Sequence, residues 1–346
     1  MSRHTTSKLR PMNLYVAQNS SAERVFRAQA GVPGLEPELR VPGIPATPEH
    51  DLLYHGGKTI SDLVFHNFYV GGNPSWKDSD VRSIDQALAS AMSDRNLNNV
   101  IVQYFAVTRV TSRFSSSEIL PGTHPSVFSQ GDVESLLSSL YLRGNLSKFD
   151  FGSMVFNFLL PSGTVLNTDT TPSPEVYRTA SLGRSIPHDE DDSLNGLGGY
   201  HGSIHVTGVG GAQITLYYAV GAFSEVLPDG RVNGIPVFND PWKNVVATFY
   251  HELNEARTDP DVEDAILAGD SPAALKFLGW TSRQGEECGD FPVFEANPLT
   301  KVFQEIDLTD GSGTVPVQFQ YSNVVHGPEG PIAAPHPQES IRTPTV

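Results

Sequence analysis

Cysteine is nearly missing from this chain: among 346 residues only Cys288 carries a thiol. That excludes an intrachain disulfide and a cysteine-rich zinc site. Positive charge is scarce as well, with 23 Lys and Arg against 39 Asp and Glu, a formal net charge of −16. Neither a nucleic acid nor an anionic membrane is an expected partner, because both need a surplus of Lys and Arg. No apolar run of about 18 residues exists, so no transmembrane helix is expected. Met1 to Leu14 starts positive but lacks the apolar core, about 7–15 residues long, of a signal peptide. The expectation is a chain not exported by that route, or one whose leader lies outside this sequence. Gly-x-x-x-x-Gly-Lys, Gly-x-Gly-x-x-Gly after a strand and Gly-x-Ser-x-Gly are missing too, which removes P-loop, dinucleotide and serine-hydrolase readings.

What is present is turn chemistry around an ordinary core. Gly (31) and Pro (26) are frequent, which argues against a helical bundle, and 38% of residues are hydrophobic. Pro33, Pro37, Pro42, Pro45 and Pro48 follow a short helical stretch at 21–30, and Pro328, Pro331, Pro335, Pro337 and Pro344 follow Gly327. Both ends therefore read as arms, residues 1–50 and 327–346, draped over the domain or mobile. Between them, residues 51–326 read as one domain with alternating elements. Strands are expected at Asp62–Val70, Val100–Val107, Met154–Leu160 and Ala212–Val220. Helices are expected at Asp80–Met92, at Gln130–Leu142 with Asp132 as N-cap, and at Trp242–Thr258. Residues 167–200 read as loop. The fold class is α/β or α+β, a mixed sheet with flanking helices.

Chemistry concentrates on the last of those helices. A mostly apolar stretch, Val245 to Tyr250, runs into His251-Glu252-Leu253-Asn254-Glu255. Residues four apart share a helix face, so His251 and Glu255 point the same way. That is how His-Glu-x-x-His helices of zinc hydrolases present two ligands, with the intervening Glu as general base. A carboxylate in the second position suits zinc and makes calcium or manganese more acceptable. By itself the short motif also fits a solvated helix face. The apolar run before it turns His251 inward, and a buried polar turn needs partners.

A third ligand must come from elsewhere. Asp261 has the metzincin offset, but Thr258 stands where that pattern wants Gly, and Pro260 follows. The segment Gly285-Glu286-Glu287-Cys288-Gly289-Asp290 is the favoured source, Glu287 ahead of Glu286. In gluzincins a downstream Glu is the third ligand and a following Asp, here Asp290, braces the metal-bound His. Tyr200 and His201, in a glycine-rich stretch read as a loop, can hold metal or polarise a carbonyl, or serve a turn. His55 reads as structural and His326 as a surface residue. The acidic stretch 188–196 lacks the Gly and Glu of an EF-hand loop, and Asp307 to Gly313 reads as a tight turn between strands. Asn19 and Asn145 begin glycosylation sequons.

Four blocks together resemble the exordium-like, or phosphate-induced, proteins of plants and bacteria. They are Tyr54-His55-Gly56-Gly57, Gly199-Tyr200-His201-Gly202 with Tyr218-Ala-Val-Gly221, Val245 to Pro260 with its Thr258-Asp259-Pro260 extension, and Glu287-x-x-Asp290 with Val317 to Asn323. The resemblance implies a zincin-like domain, a metal site and an extracellular setting, but no plant-like disulfides, since Phe291-Pro292 stands where plant members carry cysteine. The leading expectation is a metal-dependent hydrolase, most simply a zinc enzyme, acting on a peptide or amide bond. Glu252 is its base, and His201 or Tyr200 stabilises the oxyanion. The alternatives are a non-catalytic binding or signalling protein with a structural metal, and a metalloenzyme of secondary metabolism acting on a small molecule.

Overall fold

One mixed sheet lies between two cores, and the buried side chains of its strands divide between them. The computed structural model describes residues 14–17, 20–22, 44–171, 192–269 and 272–336. The strands are β1 (Leu14–Val16), β2 (Asp62–Tyr69), β3 (Thr111–Ile119), β4 (Met154–Leu159), β5 (Leu197–Thr207) and β6 (Gln213–Gly221), in the spatial order β1-β5-β6-β4-β2-β3. β1, β5 and β6 are antiparallel to their neighbours in turn, and β6, β4, β2 and β3 run parallel. Along β4, Met154, Phe156 and Phe158 enter one core while Val155 and Leu159 enter the other, the two-residue period of a pleated strand.

Helices cover each face. α1 (Asp78–Ser93) and α3 (Pro241–Thr258) fill the second core through Ile84, Leu88, Val245, Phe249 and Leu253. α2 (Gln130–Leu142) fills the first through Val133, Leu137 and Leu140. The chain continues with α4 (Val262–Ala268), α5 (Asp290–Glu295) and the hairpin of β7 (Phe303–Asp307) and β8 (Thr314–Gln318). The class is the expected one, mixed α/β with flanking helices. The Asp307 to Gly313 turn joins β7 to β8 as read.

Four local expectations are corrected. Val100–Tyr104 is a 3-10 helix and not a strand; every residue in it is buried, so the apolar run carried no period to separate the two. The N-cap of α2 is Ser129, whose hydroxyl accepts from the Asp132 amide, while the Asp132 carboxylate accepts from the Ser129 amide. Asp132 thus closes a capping box from inside the first turn. The stretch read as loop up to residue 200 already contains β5 from Leu197 onwards, its strand character hidden by glycines. The N-terminal arm contributes β1, which pairs with β5.

The described parts of both arms lie on the domain. Thr47 N–H donates to the His326 carbonyl at 2.7 Å, and Ile332 N–H donates to Asn96 at 3.1 Å. Most of the proposed 21–30 helix, the start of the acidic 188–196 stretch, Asn19 and the end of the tail lie outside the described residues. Asp192, inside that stretch, caps a short turn by accepting from Asn195 N–H at 3.1 Å.

One buried acid links this frame to pH. Glu263 of α4 accepts from Ser203 N–H at 3.2 Å and from Tyr218 hydroxyl at 3.4 Å, and Gln130 reaches it from α2. Burial first, then Glu134, push its pKa from 4.5 up to about 8. A pKa raised in the folded state stabilises fully below about 4.5 and loses that contribution as pH rises through about 8. The melting temperature should therefore fall over that interval, and Glu263→Gln should flatten the fall. Equal pH slopes in calorimetry of the two proteins would refute the assignment.

Candidate metal centre

α3 starts with Pro241, whose fixed φ suits a first helical turn, and stops before Pro260. Both ends are tied down. Asn244 accepts from Val237 and Phe238 N–H at 2.9 and 2.7 Å and donates to the Ser224 carbonyl at 3.0 Å. At the other end Arg257, fully buried, donates to the carbonyls of Ile60, Ser61 and Thr111 and to Asn98 and Ser112. Those acceptors carry no formal charge, and burial lowers the guanidinium pKa to about 10. The turn between these anchors holds His251, Glu252 and Glu255, all at 0% exposure.

His251 is held from its outer nitrogen. The Gln318 amide nitrogen donates to the carbonyls of Gly289 and Phe319 at 2.7 and 3.2 Å, so its oxygen faces the ring. That oxygen lies 2.6 Å from His251 Nδ1 and can only accept, so Nδ1 carries the hydrogen. Nε2 is the ring atom turned to the carboxylates, facing Glu255 Oε2 at 3.0 Å and Asp290 Oδ1 at 3.9 Å. Glu255 is oriented by Gly289 N–H, which donates to its Oε1 at 2.9 Å. A Cβ on residue 289 would lie 2.3 Å from His251 Nδ1, so only glycine fits there.

Acceptor facing acceptor inside a dry core is unfavourable unless a proton or a cation lies between them. His251 Nε2, Glu255 Oε2, Glu252 Oε1 and both oxygens of Glu287 have no hydrogen-bond partner. These orphaned atoms fit a divalent cation. His251, Glu255 and Asp290 can offer one ligand atom each with all three atoms within 4.8 Å, and so can His201, Glu252 and Glu255. Burial, and then the neighbouring carboxylates, push the pKa of Glu252, Glu287 and Asp290 well above the usual range.

The structure sorts the other sequence candidates. Glu286 is held elsewhere, with His50 Nδ1 and Ser282 hydroxyl each 2.7 Å from its Oε2. Glu287 joins the cluster, with Oε1 at 3.6 Å from His201 Nε2. Asp290 stands beside His251 Nε2, and the brace on Nδ1 is Gln318. His201 is a strand residue, not a loop residue. Its Nε2 lies 3.1 Å from the Asp259 carbonyl, which only accepts, and its Nδ1 lies 3.4 Å from Glu252 Oε2. Burial lowers its pKa, so it is a neutral imidazole with the hydrogen on Nε2. Tyr200 points to the opposite face of the sheet, in the core with α2, and its hydroxyl donates to the Asn167 carbonyl at 3.0 Å. It therefore does not reach His251.

Asp261 sits beside Lys58 and Tyr217, outside the cluster. His55 Nε2 lies 3.0 Å from the Thr281 hydroxyl, and the half-buried His326 pairs with Asp51 at 2.9 Å. Gln318, Asp259 and Tyr15 were not singled out by sequence. The first two lie within the blocks that carry the family resemblance, which is the signal that pointed towards them. No known family model, curated protein or solved structure matches the chain.

If Gln318 orients the ligand nitrogen, Gln318→Ala should weaken zinc binding by about 10–100-fold. Glu286→Gln should leave it unchanged. Competition against a chelating dye measures both, and a Gln318→Ala protein with wild-type affinity would remove the bracing role.

Proposed function

We propose that this chain is a metal-dependent hydrolase of peptide or amide bonds, with zinc the best-suited ion and Glu252 the general base. One observation carries the reading: His251 Nε2, its ring fixed by Gln318, faces Glu255 and Asp290 in a fully buried cluster. His251 and Glu255 would hold the ion, with Asp290 and Glu287 as further carboxylate donors. The imidazole favours zinc or manganese over calcium, which prefers an all-oxygen shell. When bound, the ion polarises a carbonyl and lowers the pKa of a coordinated water.

The protein's own groups supply the proton handling. Glu252 follows His251 by one residue and so points about 100° around the helix from it. Its Oε1 is free of hydrogen bonds and can take a proton from a water. Its Oε2 faces His201 Nδ1, whose lone pair can share that proton. Since the His201 Nε2 hydrogen is directed at the Asp259 carbonyl, His201 acts as a positioning residue for Glu252 and not as an oxyanion donor. The resemblance to exordium-like proteins supports the same site residues and an extracellular setting.

Complete burial of the cluster favours a second reading, a structural metal in a binding protein. The two separate on Glu252→Gln, which keeps size and hydrogen bonding but removes the base. Under the hydrolase reading, metal content and fold persist while cleavage of a peptide library falls at least about a hundredfold. Unchanged turnover would eliminate the proposed mechanism, and loss of metal would make Glu252 a ligand.

A further inference from the structure

Strand β1 occupies the edge beside the cluster. On that side of the sheet β5 presents the backbone of Leu197–Tyr200, and β1 takes it up antiparallel. Leu14 lies opposite Tyr200, Tyr15 opposite Gly199 and Val16 opposite Leu197, and Ala17 N–H continues the pairing to the Gly196 carbonyl at 2.6 Å. Tyr15 is the residue that closes the centre. Its ring lies on the His251 ring with centroids 4.4 Å apart and is 1% exposed. A Cβ on residue 198 would fall 2.2 Å from Tyr15 Cδ1, so the slot exists because Gly198 has none. Phe303 borders it, with ring centroids 6.4 Å apart. The Tyr15 hydroxyl lies towards Thr248 and the carboxylates of Glu252 and Glu255, so the slot admits a phenol as well as a plain ring.

An open sheet edge binds extended peptides through main-chain hydrogen bonds, and adjacent slots select their side chains. We propose that the β5 edge at Leu197–Tyr200, with the slot between Gly198 and His251, binds an extended peptide carrying an aromatic side chain, and that Leu14–Val16 is this chain's own occupant. The inference rests on the peptide-hydrolase reading and narrows its substrate to peptides with Phe or Tyr at the position over His251. It also makes β1 an internal inhibitor: a peptide enters only when β1 leaves.

The test uses the full chain carrying Glu252→Gln, so that binding is read without turnover. Val16→Cys and Leu197→Cys, opposite each other across β1 and β5, then lock the strand by a disulfide verified by mass spectrometry. The probe is a fluorescent peptide with the sequence of residues 11–19, followed by anisotropy. The reduced protein should bind it at least about tenfold more tightly than the oxidised one, because locking removes the competent state. A Phe version should also bind and an Ala version should not. Equal affinity of the reduced and oxidised forms, or of the Tyr and Ala peptides, overturns the proposal.

Should the double-cysteine chain fail to fold by circular dichroism, Tyr15→Ala in the same background replaces it. Its emptied slot should raise the affinity for the probe over the parent, and an unchanged affinity overturns the proposal equally. Peptide binding without any cleavage by the wild-type chain would defeat the hydrolase reading alone. Cleavage indifferent to aromatic residues would defeat this inference alone.

Discussion

The constraint on which this structure turns is the burial of α3 from Asn244 to Thr258 without interruption. A helix with an ordinary amphipathic sequence leaves one face in water; here the sheet, α1 and the β7–β8 hairpin enclose it. Every polar side chain on it must find a partner inside the protein. Asn254 donates to the Tyr250 carbonyl, Thr258 to the carbonyls of Asn254 and Glu255, and Arg257 to the carbonyls at the ends of β2 and β3. His251 and Glu255 are satisfied on one side each, by Gln318 and Gly289. Left over are His251 Nε2, Glu255 Oε2 and Glu252 Oε1, with Thr248 Oγ1 and Asn254 Oδ1 on the same helix. The chain tolerates several costly buried acceptors in one place, and such local violations of good packing are characteristic of sites kept for chemistry.

The elements that carry a clean period were legible in the sequence. β2, β4, β6, α1 and α2 were all placed within a few residues, because each buries one stripe or alternates between two cores; α3, buried all round, was placed as closely. Val100–Tyr104 was not legible, since a segment apolar on every side offers no period. β1 was not legible either, because three residues carry no pattern and only the partner strand makes them a strand. Of the site, the His251 and Glu255 pair on α3 and the acids downstream were visible as residue types at helical or loop spacing. The direction of each acid was not. Glu286 and Glu287 are neighbours, yet one answers His50 and the other the buried cluster around His201, a choice made by the backbone of the turn at Ser282. Gln318 lies 67 residues from His251, and no local rule links an amide on a hairpin to a helix turn.

Closure of the centre by β1 is an energetic balance. Tyr15 packs with Ile235, Ala247, Val293 and Phe303 as well as with His251. An aromatic side chain buries about 150–250 Å², which at ~25 cal/mol per Å² amounts to about 4–6 kcal/mol. Ordering the backbone of Leu14–Val16 opposes this by about 1–2 kcal/mol per residue, roughly 3–6 kcal/mol for the strand. The two terms are of one size, so the buried Val16 side chain, worth about 1.5–3 kcal/mol, and the modest net value of a few ladder hydrogen bonds set the margin. A strand held so evenly can leave, provided that the apolar walls of the slot are covered again. Water covers them poorly and a second aromatic ring covers them well. The residues that shut the centre thus define by their own contacts the kind of side chain able to open it.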